Sequence, residues 1–256
     1  MKIAVIVKQT LDLEEQIIIE DLKIDKENVQ LILNPYDEYA VEEAVKLKEE
    51  NGGEVTAITV GPPEAESALR TALAMGADKA MLIEEEEDQL LDENGIAKVL
   101  AAAIQDNKYD IILGGNMSVD NGASQVGPRV AEELDIPHIS TITNLEVNEE
   151  TVIAQRDAEG DLEIIESSLP ILVTAQQGLN EPRYPSLPGI MKAKKKPLEE
   201  IEMDDLNIDE DNIQAKSKIV DLYLPPKKEK GRIFDGELKD QVKELVYVLR
   251  EKNKVV

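Results

Sequence analysis

Along the first two thirds of the chain, short apolar runs alternate with longer stretches whose apolar residues recur every three or four positions, as in Leu69, Ala72, Leu73. A strict alternation of this kind predicts a parallel sheet with crossover helices. Ile3 to Val7 reads as the first buried strand. Ile17 to Ile24 and Val29 to Leu33, separated by Asp25-Lys26-Glu27-Asn28, predict a small β-hairpin outside the main alternation. Asn34-Pro35 then opens a helix, with Asn34 as N-cap and proline at the first position, where its missing N–H is harmless. The apolar face of that helix is Ala40, Val41, Ala44, Val45 and Leu47, and Asn51-Gly52-Gly53 ends it.

The pattern repeats: a strand over Val55 to Val60, a helix from about Glu64 to Met75 closed by Gly76, and a strand over Lys79 to Ile83. A helix follows at Ile96 to Gln105, and Tyr109 to Leu113 is a strand running into Gly114-Gly115. Four strand-then-helix units predict an α/β fold with a Rossmann-like, doubly wound, mostly parallel sheet. A returning helix is expected from about Gly122 to Leu134. Short β-rich pieces follow at Ile139 to Ile142, Leu145 to Val147, Val152 to Arg156, Leu162 to Glu166 and Ile171 to Thr174.

From Gln176 the character changes. Gly178, Pro182, Pro185, Pro188, Gly189 and Pro197 argue against helix and interior strand for about twenty residues, and long ordered loops tend to carry function. Leu198 to Leu224 is polar with scattered apolar residues and predicts an extended arm. The last helix, about Gly236 to Lys252, has Leu238, Val242, Leu245, Val246 and Leu249 on one face. Such a helix must dock on its own domain or on a partner subunit.

Composition sharpens this by exclusion. The chain of 256 residues has 54 Asp+Glu against 28 Lys+Arg, a formal charge of −26, which argues against a nucleic-acid binder with a basic face. Acidity of this kind is commonly a solubility device or an adaptation to salt. Much of it lies in runs such as Glu84-Glu85-Glu86-Glu87-Asp88 and Asp204-Asp205 with Asp209-Glu210-Asp211, which predict solvated loops. With no cysteine there is no disulfide, thiolate nucleophile or Cys-held metal cluster. Six Tyr, one Phe and no Trp require an aliphatic core and leave few stacking platforms for bases. The start of the chain, apolar for only a few residues, does not resemble a secretion signal, and no run approaches the ~18 apolar residues of a membrane span, so a cytoplasmic protein is expected.

Catalytic signatures are missing as well. There is no Gly-x-Gly-x-x-Gly after the first strand, no Walker A sequence, no His-Glu-x-x-His and no Gly-x-Ser-x-Gly. His138, the single histidine, follows Pro137 beside a predicted strand, where a structural role is expected. No catalytic residue and no metal ligand is assigned. What remains is binding: in open α/β sheets ligands sit beyond the C-terminal strand ends, here Val7-Lys8-Gln9, Thr59-Val60-Gly61 and the small-residue loop from Gly114 to Arg129. That loop leads into a helix, so free amides and the helix dipole suit a phosphate, with Ser124 and Gln125 as side-chain donors. The pattern alone leaves a close-packed turn equally open. Residues 179 to 198 hold the chain's basic cluster, Lys192, Lys194, Lys195 and Lys196, beside a proline-stiffened apolar tip at Leu187, a shape suited to probing a partner's pocket or else a solvated loop.

These residues carry a resemblance. Asn180 to Lys196 resembles the signature of electron transfer flavoprotein β subunits. Asn34 to Ala44, Leu69 to Asp78 and the Asp120 to Pro128 loop are each similar to blocks of that family, in order and at matching spacing. The likeness covers essentially the whole chain.

The resemblance implies an α/β fold with the layout of adenine-nucleotide α-hydrolases, a nucleotide-binding domain over 1–197 and a C-terminal arm and helix over 198–256 that docks on a homologous α subunit. The heterodimer would hold one FAD, bound mainly by the α subunit. It would carry electrons, as in fatty acid oxidation, from flavoprotein dehydrogenases such as acyl-CoA dehydrogenases to a quinone oxidoreductase or another acceptor, as a carrier and not an enzyme. The β subunit would hold a structural AMP. By position that pocket would involve Ile6, Asn34, Pro35, Tyr36, Asp37, Val60, Val119, Asp120, Asn121, Gly122, Ala123, Ser124, Gln125, Val126, Gly127, Pro128, Arg129 and Val130. Leu13 and Tyr36 would face the flavin. Tyr184, Pro185, Ser186, Leu187, Pro188, Gly189, Ile190 and Met191 would form the docking loop, with Leu187 as anchor. One branch of the family places a second FAD in the AMP position and bifurcates electrons, as an NADH-dependent oxidoreductase. Its loop often reads Asp-Gly-Asp-Thr-Ala-Gln-Val-Gly-Pro. Here Gln125-Val126-Gly127-Pro128 is shared but the acid-Thr pair is missing, which favours AMP. The competing class is a stand-alone adenine-nucleotide module of the universal-stress-protein type.

Overall fold

The structure, a computed structural model, describes residues 1–20, 23–25, 29–85, 91–228, 230–252 and 254–255. They fall into two compact units, 1–221 and 222–256. The first contains strands β1 (Lys2–Ile6), β2 (Gln9–Leu11), β3 (Ile19–Glu20), β4 (Lys23–Ile24) and β5 (Leu31–Leu33), then helix α1 (Pro35–Asn51) and strand β6 (Glu54–Gly61). Next come α2 (Glu66–Met75), β7 (Lys79–Glu84), α3 (Glu93–Ile104), β8 (Ile111–Gly115) and α4 (Val126–Glu133). β9 (His138–Asn148), β10 (Thr151–Ala158), β11 (Asp161–Ser168), β12 (Ile171–Ala175), α5 (Leu187–Ala193), β13 (Leu198–Glu202) and α6 (Glu210–Ile213) complete it.

Nine strands form one sheet in the order β11-β10-β9-β12-β8-β1-β6-β7-β13. Seven, from β9 to β13, pair in parallel, and β10 and β11 extend one edge as antiparallel strands. Period-two alternation sends each strand's apolar residues to opposite faces. Ile3, Val5, Val55, Ala57, Ile111 and Leu113 pack in one core with α1 and α2. Ala4, Ile58, Met81, Ile112 and Leu172 pack in the other with α3 and α4. The chain runs outward from β1 through β6 to β7, then crosses back to β8 on the far side of β1. The sheet is thus doubly wound with its switch point between β1 and β8.

Four local expectations are corrected. Leu31–Leu33 pairs antiparallel with Gln9–Leu11, while β3 and β4 pair with each other, so 17–24 and 29–33 are not the two arms of one hairpin. Residues 26–28 of the expected turn, like 86–88 of the acidic run, lie outside the described residues. Helix α4 begins at Val126, not Gly122, because Gly122 and Ser124 hold positive φ, 62° and 55°, which breaks helical geometry. The Gln176–Pro197 stretch is not wholly irregular: Ser186 caps α5, its Oγ accepting from the Gly189 amide at 3.1 Å, and Pro188 sits in the first turn, where proline is tolerated. Within the stretch expected to be an arm, β13 pairs in parallel with β7, and Met203 and Ile213 are buried in the second core.

The second unit is built around α7 (Leu238–Tyr247), continued as a π-helical turn over Val248–Lys252. Helix α7 has no buried residue within this chain, so the predicted apolar face, Leu238, Val242, Leu245 and Val246, stands exposed. Among the described residues no helix is long and apolar enough to cross a membrane.

Candidate functional site

A cavity of about 260 Å³ opens at the switch point, beyond the C-terminal ends of β1, β6 and β8. Its apolar lining includes Ile6, Val60, Leu91, Ile96, Leu100 and Leu172; its polar lining includes Lys8, Asn34, Asp37, Asn121, Ser124 and Gln125, with residues 114–118. The sheet places it there, because every parallel strand delivers the loop that follows it to the same edge.

Helix α1 holds this loop system together from its first turn. The predicted N-cap Asn34 makes no side-chain cap. Its Nδ2 donates to the Met117 carbonyl at 2.9 Å and its Oδ1 accepts from the Val119 amide at 3.1 Å, clamping the loop after β8. Asp37, 4% exposed, accepts from the Lys8 amide at 2.7 Å and the Gly115 amide at 2.9 Å, tying the two central strand ends together. A side chain at Gly115 has no room: a Cβ there would lie 2.3 Å from Asp37 Oδ1 and 2.7 Å from Tyr36 Cβ. Burial pushes the Asp37 carboxyl up to about 7, against the two amides and Asn34, which favour the charged form.

Lys8 Nζ donates to both Asp120 oxygens, at 2.9 and 2.7 Å, and to Ser118 Oγ at 3.3 Å. Partial burial raises the Asp120 carboxyl, but hydrogen bonds from Lys8 and Ser118 outweigh it and hold the group below the usual range. Asn121 Oδ1 accepts from Ser118 Oγ and the Ala123 amide, while its Nδ2 reaches Glu93 at the start of α3. The amides of Ser124, Gln125, Val126 and Gly127, leading into α4, find no acceptor among the described residues. They are the donors a helix N-terminus leaves free, and they line the cavity. Gly127 keeps this end of α4 close to β12, since a Cβ would stand 2.7 Å from Thr174 Cγ2.

Of the residues assigned to the pocket, Ile6, Asn34, Asp37, Val60, Asn121 and Ala123 to Gly127 line the cavity. The others do not. Pro35 and Tyr36 open α1, Val119 is held by Asn34, Asp120 pairs with Lys8, and Gly122 sits at the turn. Pro128 and Arg129 lie in α4, and Val130 is buried in the second core. Leu13, half exposed, lies in the turn after β2, away from the lining. His138 is exposed at the start of β9. The assignment missed the start of α3. Leu91, Glu93 and Ile96 join the lining, and so does Asp92, which caps Asn94 and Gly95 and also accepts from the amides of Lys216 and Ser217. An available signal was the acid ahead of an apolar periodic run, a cap that places a helix start at the ligand edge.

The basic stretch after β12 makes a second, separate feature. Asn180 Nδ2 donates to the Tyr39 carbonyl and Glu43, and Arg183 forks onto Glu42 and Glu49, all on α1. The two carboxylates keep the guanidinium charged beyond its ordinary range, and Arg183 holds Glu49 below the usual carboxylate range. Tyr184, just after these ties, and Leu187, the first residue of α5, stand 96% and 80% exposed, with Ile190 and Met191 further along α5.

Comparison with known proteins gives a consistent answer. The family model of the electron transfer flavoprotein domain matches residues 21–206. The chain is 56% identical over its whole length to the full-length electron transfer flavoprotein subunit beta of Bacillus subtilis (strain 168). It is 36% identical to the mitochondrial electron transfer flavoprotein subunit beta of Oryza sativa subsp. japonica, over 97% of this chain and 100% of that one. At 35%, over 99% of both chains, it is similar to the acryloyl-CoA reductase electron transfer subunit gamma of Anaerotignum propionicum.

Proposed function

The chain belongs to the electron transfer flavoprotein β-subunit family, and from that premise we propose that it pairs with a homologous α subunit as an electron carrier and holds an adenine mononucleotide, AMP, in the switch-point cavity. The observation that carries this is the run of four unpartnered amides, Ser124 to Gly127, entering α4 beside an apolar wall. A phosphate is satisfied by such amides and a flat purine by such a wall.

FAD, bound chiefly by the α subunit, would supply the redox chemistry, accepting electrons and releasing them singly. This chain's contributions are to shape and present. Leu13 and Tyr36 would face the flavin. Lys8, Asn34 and Asp37 would keep the nucleotide loop in one conformation. Tyr184 to Met191 would dock on flavoprotein dehydrogenases, with Leu187 entering the partner. The name of the Anaerotignum relative, an acryloyl-CoA reductase electron transfer subunit, supports partners that act on CoA thioesters. The residues 222–256, with the exposed face of α7, would cover the α subunit. A quinone oxidoreductase or another acceptor would receive the electrons, and the location would be cytoplasmic, which fractionation checks.

The deciding experiment co-expresses the chain with its α partner and counts FAD and AMP per heterodimer after acid extraction. One of each is the expected result. Two FAD and no AMP would make the β site a bifurcating redox centre. A colourless monomer that refuses the α partner would return the chain to the class of stand-alone nucleotide modules.

A further inference from the structure

The docking segment is gripped at both ends. At its entry Arg183 Nε donates to Glu42 Oε2 at 2.8 Å and Nη2 to Glu42 Oε1 at 3.0 Å. The same guanidinium reaches Glu49 Oε1 from Nη1 at 2.7 Å and Oε2 from Nη2 at 3.1 Å, and the Arg183 amide adds a bond to Glu42. At its exit Arg70 on α2 donates to the carbonyls of Ala193 and Lys196, and Lys196 Nζ donates to the carbonyls of Leu73 and Ala77. The two grips differ in kind. The exit is held through main-chain carbonyls at the end of a helix that also packs tightly on α2, since a Cβ on Gly189 would stand 2.8 Å from the Ala74 carbonyl. The entry depends on one side chain forked between two carboxylates, Glu42 buried and Glu49 half exposed.

Two parallel bonds to each carboxylate fix the guanidinium in position as well as in charge, which a single-point cation cannot do. The residue after it is Tyr184, and Leu187 follows within one short turn. Both present apolar surface to solvent. Ordering such a segment at the moment of association subtracts from affinity; ordering it beforehand does not.

We infer that Arg183 is a positioning residue for partner docking: its fork on Glu42 and Glu49 sets Tyr184 and Leu187 in the docking conformation before a dehydrogenase arrives. The inference rests on the reading of Tyr184 to Met191 as the docking loop. Arg183 itself touches neither flavin nor partner in this role. Its effect is on how much of the population is ready to bind, so it acts on half-saturation and leaves the transfer step alone.

The test uses the intact FAD-loaded heterodimer and the acyl-CoA dehydrogenase that reduces the wild type, with the heterodimer as varied substrate. Arg183→Gln is expected to raise KM about tenfold with kcat within twofold, at unchanged FAD and AMP content, and to speed amide exchange over 184–191. Arg183→Lys, which keeps the charge but cannot fork, recovers only part of the loss. Glu49→Gln, which breaks half of the fork at a half-exposed position and leaves buried Glu42 paired, should raise KM about threefold and decides the matter if Arg183→Gln does not fold. Leu187→Ala is the control for the underlying reading. If Leu187→Ala raises KM while Arg183→Gln and Glu49→Gln do not, positioning is refuted and docking stands. If Leu187→Ala leaves KM unchanged, the docking reading falls and this inference with it. A fall in kcat at constant KM in the Arg183 variants also overturns it.

Discussion

Two irregular segments of this molecule are shaped by the same helix to opposite ends. The loop after β8 is clamped by Asn34 and Asp37 from the first turn of α1, and the segment after β12 is tied by Asn180 and Arg183 to Glu42, Glu43 and Glu49 further along it. In the first, polar side chains take up the amides of Gly115 and Val119 while those of 124–127 stay free along an apolar-walled cavity. In the second, polar side chains are consumed in holding the segment down, and the apolar ones are left outside. The lesson is that loop order here comes from side-chain hydrogen bonds across long sequence separations. What each loop offers is whatever those bonds leave over: amides for an anion, or apolar surface for a protein.

The contrast predicts that damage to the cavity loop is felt as stability and nucleotide retention, and damage to the outer segment as partner kinetics. The largest effect should be electrostatic. The carboxyl of Asp37 titrates near 7 in the fold against 3.8 ordinarily, so between these values the folded state binds the extra proton. Its contribution to stability is therefore greatest below about pH 4, falls as pH rises to about 7 and is level above. Urea titrations of wild type and Asp37→Asn across pH 4 to 7 should show wild type losing on the order of 3–4 kcal/mol relative to the variant. A parallel pair of curves would show that Asp37 titrates normally.

Gly115→Ala comes next, because its Cβ meets the Asp37 carboxylate and the Tyr36 backbone. Overpacking of this kind should lower unfolding free energy by about 1–3 kcal/mol and weaken binding of the AMP proposed for the cavity. An unchanged melting temperature would mean that the two strand ends are not rigidly joined. Asn34→Ala, which strands the Val119 amide and the Met117 carbonyl, should cost about 1–2 kcal/mol and weaken AMP retention, read by equilibrium dialysis, with partner kinetics intact. Leu187→Ala should be nearly silent in stability, within about 0.5 kcal/mol, as expected for an exposed side chain. It should nevertheless slow reduction of the flavin by the dehydrogenase at full cofactor content. Loss of FAD from that variant would collapse the division between the two loops.

Legibility followed the range of the interaction. The face of α1 was readable because Ala40, Val41, Ala44 and Val45 repeat with the helix itself, and all are buried. The hairpin expected over 17–33 was misread because β-pairing is decided by which strand lies alongside, and Gln9–Leu11 competed successfully for Leu31–Leu33. The start of α4 was misread because Gly122 and Ser124 adopt a left-handed backbone that composition alone does not show. Within the site, Asn34 and Asp37 were found through resemblance and Lys8 through its place at the end of the first strand, while Asp92 and Ile96 join the lining because the fold brings the start of α3 to that edge.

By itself the sequence determined the strand–helix alternation, the aliphatic two-faced sheet and the absence of cysteine chemistry, since periodicity and composition act locally and need no partner. The tertiary structure decided which strand ends meet at the switch point, which amides stay unpaired at the start of α4, and that Arg183 reaches Glu42 across 141 residues. Those depend on closing long loops around one packed sheet, and no local pattern encodes which distant groups that closure brings within hydrogen-bonding reach.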